Sequence, residues 1–384
     1  MDQFRYLLFA QEVVFQPGAL SQLGKLVDKY DWQRLMLVSG HSMRVNGAVE
    51  TVKIGLGSRL VEIFDQTLPQ VQDVQLEEVL EIARKKKVVA IIGLGGGSPI
   101  GMAKAVAFAL GEQQTTKATQ LHTPMEQPLI PVIAIPTTYA GSEMTSTYGI
   151  THTRAQPALK VTVNDPRVAP KLVVYDPQLT LDLPAEMTAS TGMNALAHCI
   201  EALYSVTRQP FSSAIAARAA GYISRALPRC FENGRDVEAR IEMLTGAHLA
   251  GLALAGVSMG LHHGLCHVLG GTANVPHGIA NSIILPHAMR FNADATAELL
   301  LPAVEAMGIP LNGHEPVAAV QEAAQAIFEL SGRMNLPQQL RQVGVDEADL
   351  PRLAQLAFQN HTVQNNPKPI THVEQIEALL EEAW

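Results

Sequence analysis

Four short apolar runs recur through the first half of the chain: RLMLVSG (34–40), VVAIIGLGGGS (88–98), LIPVIAIPTT (129–138) and KLVVYDP (171–177). Each reads as a buried strand. Between them, VQLEEVLEIARKKK (74–87) and PIGMAKAVAFAL (99–110) carry helical spacing. Buried strands alternating with helices predict a mostly parallel sheet covered on both faces, with ligands bound at the carboxyl ends of its strands. The polar stretch EQQTTKATQLHTPMEQP (112–128) is expected to be a surface loop.

From about residue 184 the texture changes. The remainder is rich in Ala, Leu and Glu with helical periodicity and no strand-like run, so a second, all-helical domain is expected. Because a single hydrophobic core stops growing at about 250–300 residues, a chain of 384 favours two domains. The boundaries drawn are 1–183 for an α/β domain and 184–384 for a helical one.

With 47% hydrophobic and 17% charged residues, the chain is an ordinary globular protein. Its net charge of −8 gives no footing for nucleic acid or an anionic membrane, which leaves a small molecule as the expected partner. Cys199, Cys230 and Cys266 lie in helical-looking, apolar surroundings without CxxC spacing, as buried thiols of a reducing compartment do. The first twenty residues lack the pattern of a signal peptide, and no run of 18 uncharged apolar residues occurs, so a cytoplasmic location is expected.

Two turns follow apolar strands. In the first, Gly95, Gly96, Gly97 and Ser98 precede Pro99, which opens a helix. Glycines let backbone approach an anion, and a helix N-terminus offers N–H groups and the positive end of its dipole, so a phosphate fits there. The spacing is not GxGxxG, and a bare βα turn is the competing reading. The second turn, IPTTYAGSEMTSTYGI (135–150), is dense in hydroxyls at Thr137, Thr138, Tyr139, Ser142 and Thr145. They suit a nucleotide or, equally, a loop bonded to itself.

The segment LHHGLCHVLGGTANVPHG (261–278) holds four of the thirteen histidines. His263 and His267 share a helix face, as do Asn194 and His198 one motif earlier, and His277 opens a further helix. Imidazoles converging from separate helices build a divalent metal site or an acid–base site. His262, adjacent to His263, must point elsewhere, and His287 is expected to be structural.

These motifs in order, GGGS…AK, IPTTYAGSEMT, YDP, NALAHCIEALYS and HHGLCHVLGG…PHG, resemble the iron-containing (group III) alcohol dehydrogenases, and within them the maleylacetate reductase branch. The resemblance spans nearly the whole chain. It implies the fold of that family, shared with dehydroquinate synthase: a Rossmann-like NAD(P) domain, a helical domain and an active site in the cleft between them. It places cofactor contacts at Gly95, Gly96, Gly97, Ser98, Lys104, Thr137, Thr138 and Ser142, and Lys160 on the nicotinamide side. The metal-dependent members' three histidines match His198, His263 and His277, while their aspartate is replaced here by Asn194.

An amide brings a neutral dipole where a carboxylate brings charge, so affinity for a divalent ion should fall. Iron or zinc is therefore expected to be dispensable. The resemblance implies hydride transfer from NAD(P)H to an unsaturated oxo-dicarboxylate such as maleylacetate, giving 3-oxoadipate, in a homodimer. His267 and His263 are the leading catalytic candidates, with His198, His277 and Asn194 shaping the pocket and Lys160 near the substrate carboxylates. Gly40 stands where NAD-specific enzymes often carry an acid, with His41 and Arg44 nearby, so NADPH should be accepted. The competing expectations are a metal-dependent alcohol dehydrogenase or aldehyde reductase, and a metabolite-binding protein without turnover.

Overall fold

A computed structural model describes residues 4, 6–115, 129–154, 159–311, 313 and 315–384, the side chains of 112–115 and 159–160 excepted. The chain forms two compact units, Phe9–Leu183 and a second one beginning at Pro184 and running to Trp384.

In the first unit, β1 (Glu12–Phe15), β2 (Leu35–Ser39), β3 (Leu60–Phe64), β5 (Ala90–Gly95), β6 (Val132–Pro136) and β9 (Leu172–Tyr175) make one six-stranded sheet. Its order is β1-β9-β6-β5-β2-β3, and every pairing is parallel. A smaller sheet joins β4 (Val71–Gln72), β7 (Thr147–His152) and β8 (Leu159–Asn164), with β7 and β8 antiparallel. The four central strands coincide with the four apolar runs. The edge strands β1 and β3, half-buried, do not announce themselves that way.

Side chains alternate strictly between the two faces of the large sheet. Leu35 and Leu37 of β2 join Ile92 and Leu94 of β5 in one core, against α1 (Leu23–Asp28) and α3 (Ala48–Leu56), which follows the short α2 (His41–Val45). Met36, Val38 and Ile91 join the other core, against α4 (Asp73–Lys85) and α5 (Gly97–Thr115). Both faces are therefore dry, which is why the central strands read as unbroken apolar runs. Helix α5 continues through Thr115, so residues 112–115 are helical and not loop as expected; 116–128 lie outside the described residues.

The second unit is built from α6 (Ala185–Tyr204), α7 (Pro210–Glu232), α8 (Val237–Ala255), α9 (Leu261–Thr272), α10 (His277–Ala306), α11 (Pro316–Arg333), α12 (Leu350–Phe358), α13 (His361–Gln364) and α14 (Glu374–Ala383). Among its described residues there is no strand. Helix α6 is buried almost all round and packs against α7, α8 and α10. The described N-terminal residues before Phe9 group with this unit rather than with the sheet, where the drawn boundary had put them: Tyr6 stacks on Phe211, ring centroids 6.0 Å apart. Among the described residues no helix is long and apolar enough to cross a membrane.

Candidate active site

The carboxyl ends of β2, β5 and β6 lie side by side, because Ser39 pairs with Leu94 and Gly95 with Pro136. That register brings Gly40, Gly95–Gly97 and Thr137–Thr138 to one edge of the sheet. Gly95 turns the chain at φ +137°, a conformation L side chains rarely adopt, and the Thr137 N–H donates to its carbonyl at 3.0 Å. A Cβ on Gly96 would press on Thr138 Cγ2 at 3.2 Å, whereas a Cβ on the exposed Gly97 would meet nothing within 4 Å. The space beside Gly97 at the first turn of α5 is thus open, as the approach of an anion to a helix start requires. Ser98 Oγ accepts from the Gln70 N–H at 3.0 Å.

Lys104 is fully buried about two turns into α5. Its ammonium donates to the carbonyls of Ser142, Thr145 and Thr147, the last two at 2.8 and 3.0 Å. Burial pushes its pKa down to about 7, partly opposed by the buried Glu143 carboxylate. Lys104 is therefore occupied in shaping the hydroxyl-rich turn and acts on it from behind. Thr137 and Thr138 are buried, and Ser142 is half-buried.

In the helical unit, the predicted histidines do gather. The rings of His198 (α6) and His263 (α9) stack with centroids 4.9 Å apart and planes 20° apart. Those of His267 and His277 stack at 5.8 Å, and His263 lies 6.4 and 6.1 Å from them. The inner pair is buried and the outer pair half-exposed. Burial, then the neighbouring imidazoles, hold His198 well below its ordinary pKa; burial also lowers His263, opposed by Glu201. Asn194, on the same face of α6 as His198, is 4% exposed. Its Oδ1, with His198 Nδ1 and His263 Nε2, is buried without a hydrogen-bond partner.

Glu201 was not anticipated. It is fully buried on α6, three residues after His198, the one charged residue in the run MNALAHCIEALYS. One carboxylate oxygen accepts the N–H groups of Gly260 and His262 at 3.1 and 3.2 Å; the other accepts the N–H of His263 at 3.3 Å and also bonds that residue's Nδ1. Burial alone would raise this carboxyl, but His263 and His262 override it and hold it well below the usual carboxylate range. His262 turns its Nε2 to the Asn281 carbonyl at 3.1 Å, but its ring does not point elsewhere as expected: it lies edge-on to His263, centroids 4.9 Å apart, with the two Nδ1 atoms 3.2 Å apart.

Lys160 lies on β8 opposite Thr151, and its side chain is outside the described set. Arg44, on α2 beyond Gly40, is paired with Asp65 at the end of β3. All three cysteines are buried, and none is in a disulfide. His287 is buried, both ring nitrogens without a hydrogen-bond partner.

The donor chemistry fits a divalent cation in kind, since unpartnered imidazole and amide atoms are ligands for one, but no carboxylate is among the four ligand positions. Glu201, His262 and His263 also bring three ligand atoms within 4.8 Å of one another. The Glu201 oxygens, however, are consumed by backbone N–H groups, which makes this carboxylate a supporter of His263 more than a ligand.

The iron-containing alcohol dehydrogenase family matches residues 10–177, and the Fe-containing alcohol dehydrogenase C-terminal family matches 188–384. A maleylacetate reductase of Burkholderia cepacia is 35% identical, over 100% of this chain and 98% of that protein. The crystal structure of maleylacetate reductase from Agrobacterium tumefaciens superposes with a TM-score of 0.85 at 30% identity, covering 100% and 99%. A 1,3-propanediol oxidoreductase structure gives 0.91 at 31%, covering 100% of both chains.

Proposed function

Since this chain belongs to the iron-containing alcohol dehydrogenase family and is an NAD(P)-dependent oxidoreductase, we propose that it reduces maleylacetate to 3-oxoadipate without requiring a metal. Hydride from NAD(P)H adds to the C=C bond conjugated with the ketone, and the electron pair moves onto the carbonyl oxygen. A proton then completes the neighbouring carbon, so hydride and proton together account for the two atoms gained. Catalysis needs a donor toward the developing oxyanion and a rechargeable proton source.

Burial divides the imidazoles between these tasks. His267, half-exposed and stacked on His277, can exchange protons with water and is the proton donor. The inner His198 and His263, held neutral by burial, with Asn194, shape the floor of the pocket. The nucleotide lies on Gly40, Gly95–Ser98, Thr137, Thr138 and Ser142, with Lys104 holding the last turn; Lys160 attracts the substrate carboxylates. The enzyme works in the cytoplasm as a homodimer.

The observation that carries this reading is Asn194: a buried amide oxygen without a hydrogen-bond partner, at the position to which the resemblance assigns the aspartate of metal-dependent members. The test is NADH and NADPH oxidation with maleylacetate, before and after dialysis against a chelator, alongside metal analysis. Turnover that survives chelation is expected; stoichiometric metal whose removal abolishes turnover would overturn the metal-free mechanism. Asn194→Asp should tighten zinc binding at least about 100-fold, because a buried unit charge beside a divalent ion is worth several kcal/mol.

One observation favours a second reading, a metal-dependent alcohol dehydrogenase: His263 Nε2 is left bare. His198, His263, His277 and Asn194 would then hold the ion, which supplies Lewis-acid polarisation of a carbonyl.

A further inference from the structure

We propose that Glu201 is a positioning residue that locks His263 in its Nδ1–H tautomer, making Nε2 a permanent acceptor and leaving proton donation to the outer histidines. The tautomer follows from geometry alone; only the catalytic consequence rests on the reductase reading above.

The acceptor-only partners around the two rings assign the hydrogens. The Asn281 carbonyl can only accept, so His262 Nε2, 3.1 Å away, carries a hydrogen. His262 Nδ1 lies 3.2 Å from His263 Nδ1, and a single hydrogen fits between two such nitrogens. The Glu201 oxygen in contact with His263 Nδ1 can only accept, so that hydrogen sits on His263. His263 Nε2 is consequently a lone pair, and it is one of the buried atoms without a partner.

The same carboxylate fixes where the ring stands. Its bonds to the N–H groups of Gly260, His262 and His263 seat it on the N-terminal turn of α9, where the helix dipole favours negative charge. Side chain and backbone of His263 are thereby anchored to one group on α6. With no exposure to water, Glu201 cannot trade these bonds for solvent. A bare Nε2 receives a hydrogen bond from a water or a substrate hydroxyl, or binds a cation, and it has no proton to give to an enolate.

The discriminating experiment is ¹⁵N NMR of the full-length protein labelled at histidine, with His263 assigned by the signal lost in His263→Gln. The expected spectrum shows protonated Nδ1 and unprotonated Nε2 for His263; a protonated Nε2 in the wild-type protein overturns the proposal. In Glu201→Gln an amide can still accept from the backbone while its NH₂ group donates to Nδ1, so the tautomer should invert. We expect kcat for maleylacetate to fall about 10–100-fold, with KM for NADH changed less than about twofold. An inverted tautomer with kcat unchanged would remove the catalytic role. Wild-type protein inactive on maleylacetate but showing the Nδ1–H spectrum would refute the substrate assignment alone.

Discussion

Lys104 and Thr145 are joined by a buried hydrogen bond, the ammonium donating to the carbonyl at 2.8 Å while it also holds the carbonyls of Ser142 and Thr147. One cation thus ties the 3-10 turn Ser142–Met144 to the first residue of β7. Lys104→Met keeps the apolar stem but removes all three donors. The turn carrying Ser142 should then wander, raising KM for NADH roughly tenfold or more, with kcat at saturating cofactor nearly unchanged. Steady-state kinetics with NADH as the varied substrate check this. A fall in kcat with KM unaltered would contradict the positioning role.

Gly97 separates binding from folding more cleanly. A Cβ at Gly97 meets no protein atom within 4 Å, so Gly97→Val should leave the melting temperature within a few degrees of wild type. It would nevertheless fill the space before the first turn of α5, and NADH affinity measured by fluorescence titration should fall at least about tenfold. Gly95→Ala is the contrast: at φ +137° the added Cβ strains the backbone whatever the ligand, at a stability cost of about 1–3 kcal/mol.

Which features were visible in the sequence follows from how each is buried. β2, β5, β6 and β9 are dry on both faces and so spell continuous apolar words, whereas β1 and β3 are half-covered edges whose residues, EVVF and LVEIF, carry a charge each. The histidines and Asn194 were legible because helical spacing puts them on shared faces. Glu201 obeys the same spacing, three residues from His198, but a lone glutamate on a helix ordinarily faces water; only its burial and the four bonds it accepts reveal it. Lys104 was visible as part of a motif. Its work on the second turn was not, since three carbonyls have no side-chain signature.

The pair Arg44–Asp65 bears on cofactor choice. Asp65 has a side chain only 12% exposed, at the carboxyl end of β3 beside the β2 turn, and it holds the half-exposed Arg44 by an ion pair. Arg44 can exchange this partner for the 2′-phosphate of NADPH. Arg44→Ala should lower kcat/KM for NADPH about tenfold while leaving NADH within about twofold, since a charge-assisted hydrogen bond is worth about 1.5–3 kcal/mol. Asp65→Ala should shift the preference toward NADPH. Equal losses with both cofactors from Arg44→Ala would rule out a discriminating role.

His287 sets an acid limit on stability. Burial, then the nearby Arg290, push its pKa down to about 4 from the ordinary 6.5; the Glu382 carboxylate, 3.8 Å from Nδ1, does not reverse this. Between those two values the unfolded chain binds a proton at this site that the folded chain refuses. The folded state is therefore progressively penalised as pH falls through the window, and the penalty is absent above it. His248, also lowered to about 4 by burial, adds in the same direction. His287→Leu removes two ring nitrogens that have no hydrogen-bond partner and a group that the unfolded chain protonates more readily, so it should raise stability by about 1 kcal/mol near pH 5 and less near pH 8. Urea unfolding at both pH values measures this; a variant whose gain is the same at each would mean that His287 titrates in the fold as it does in the unfolded chain.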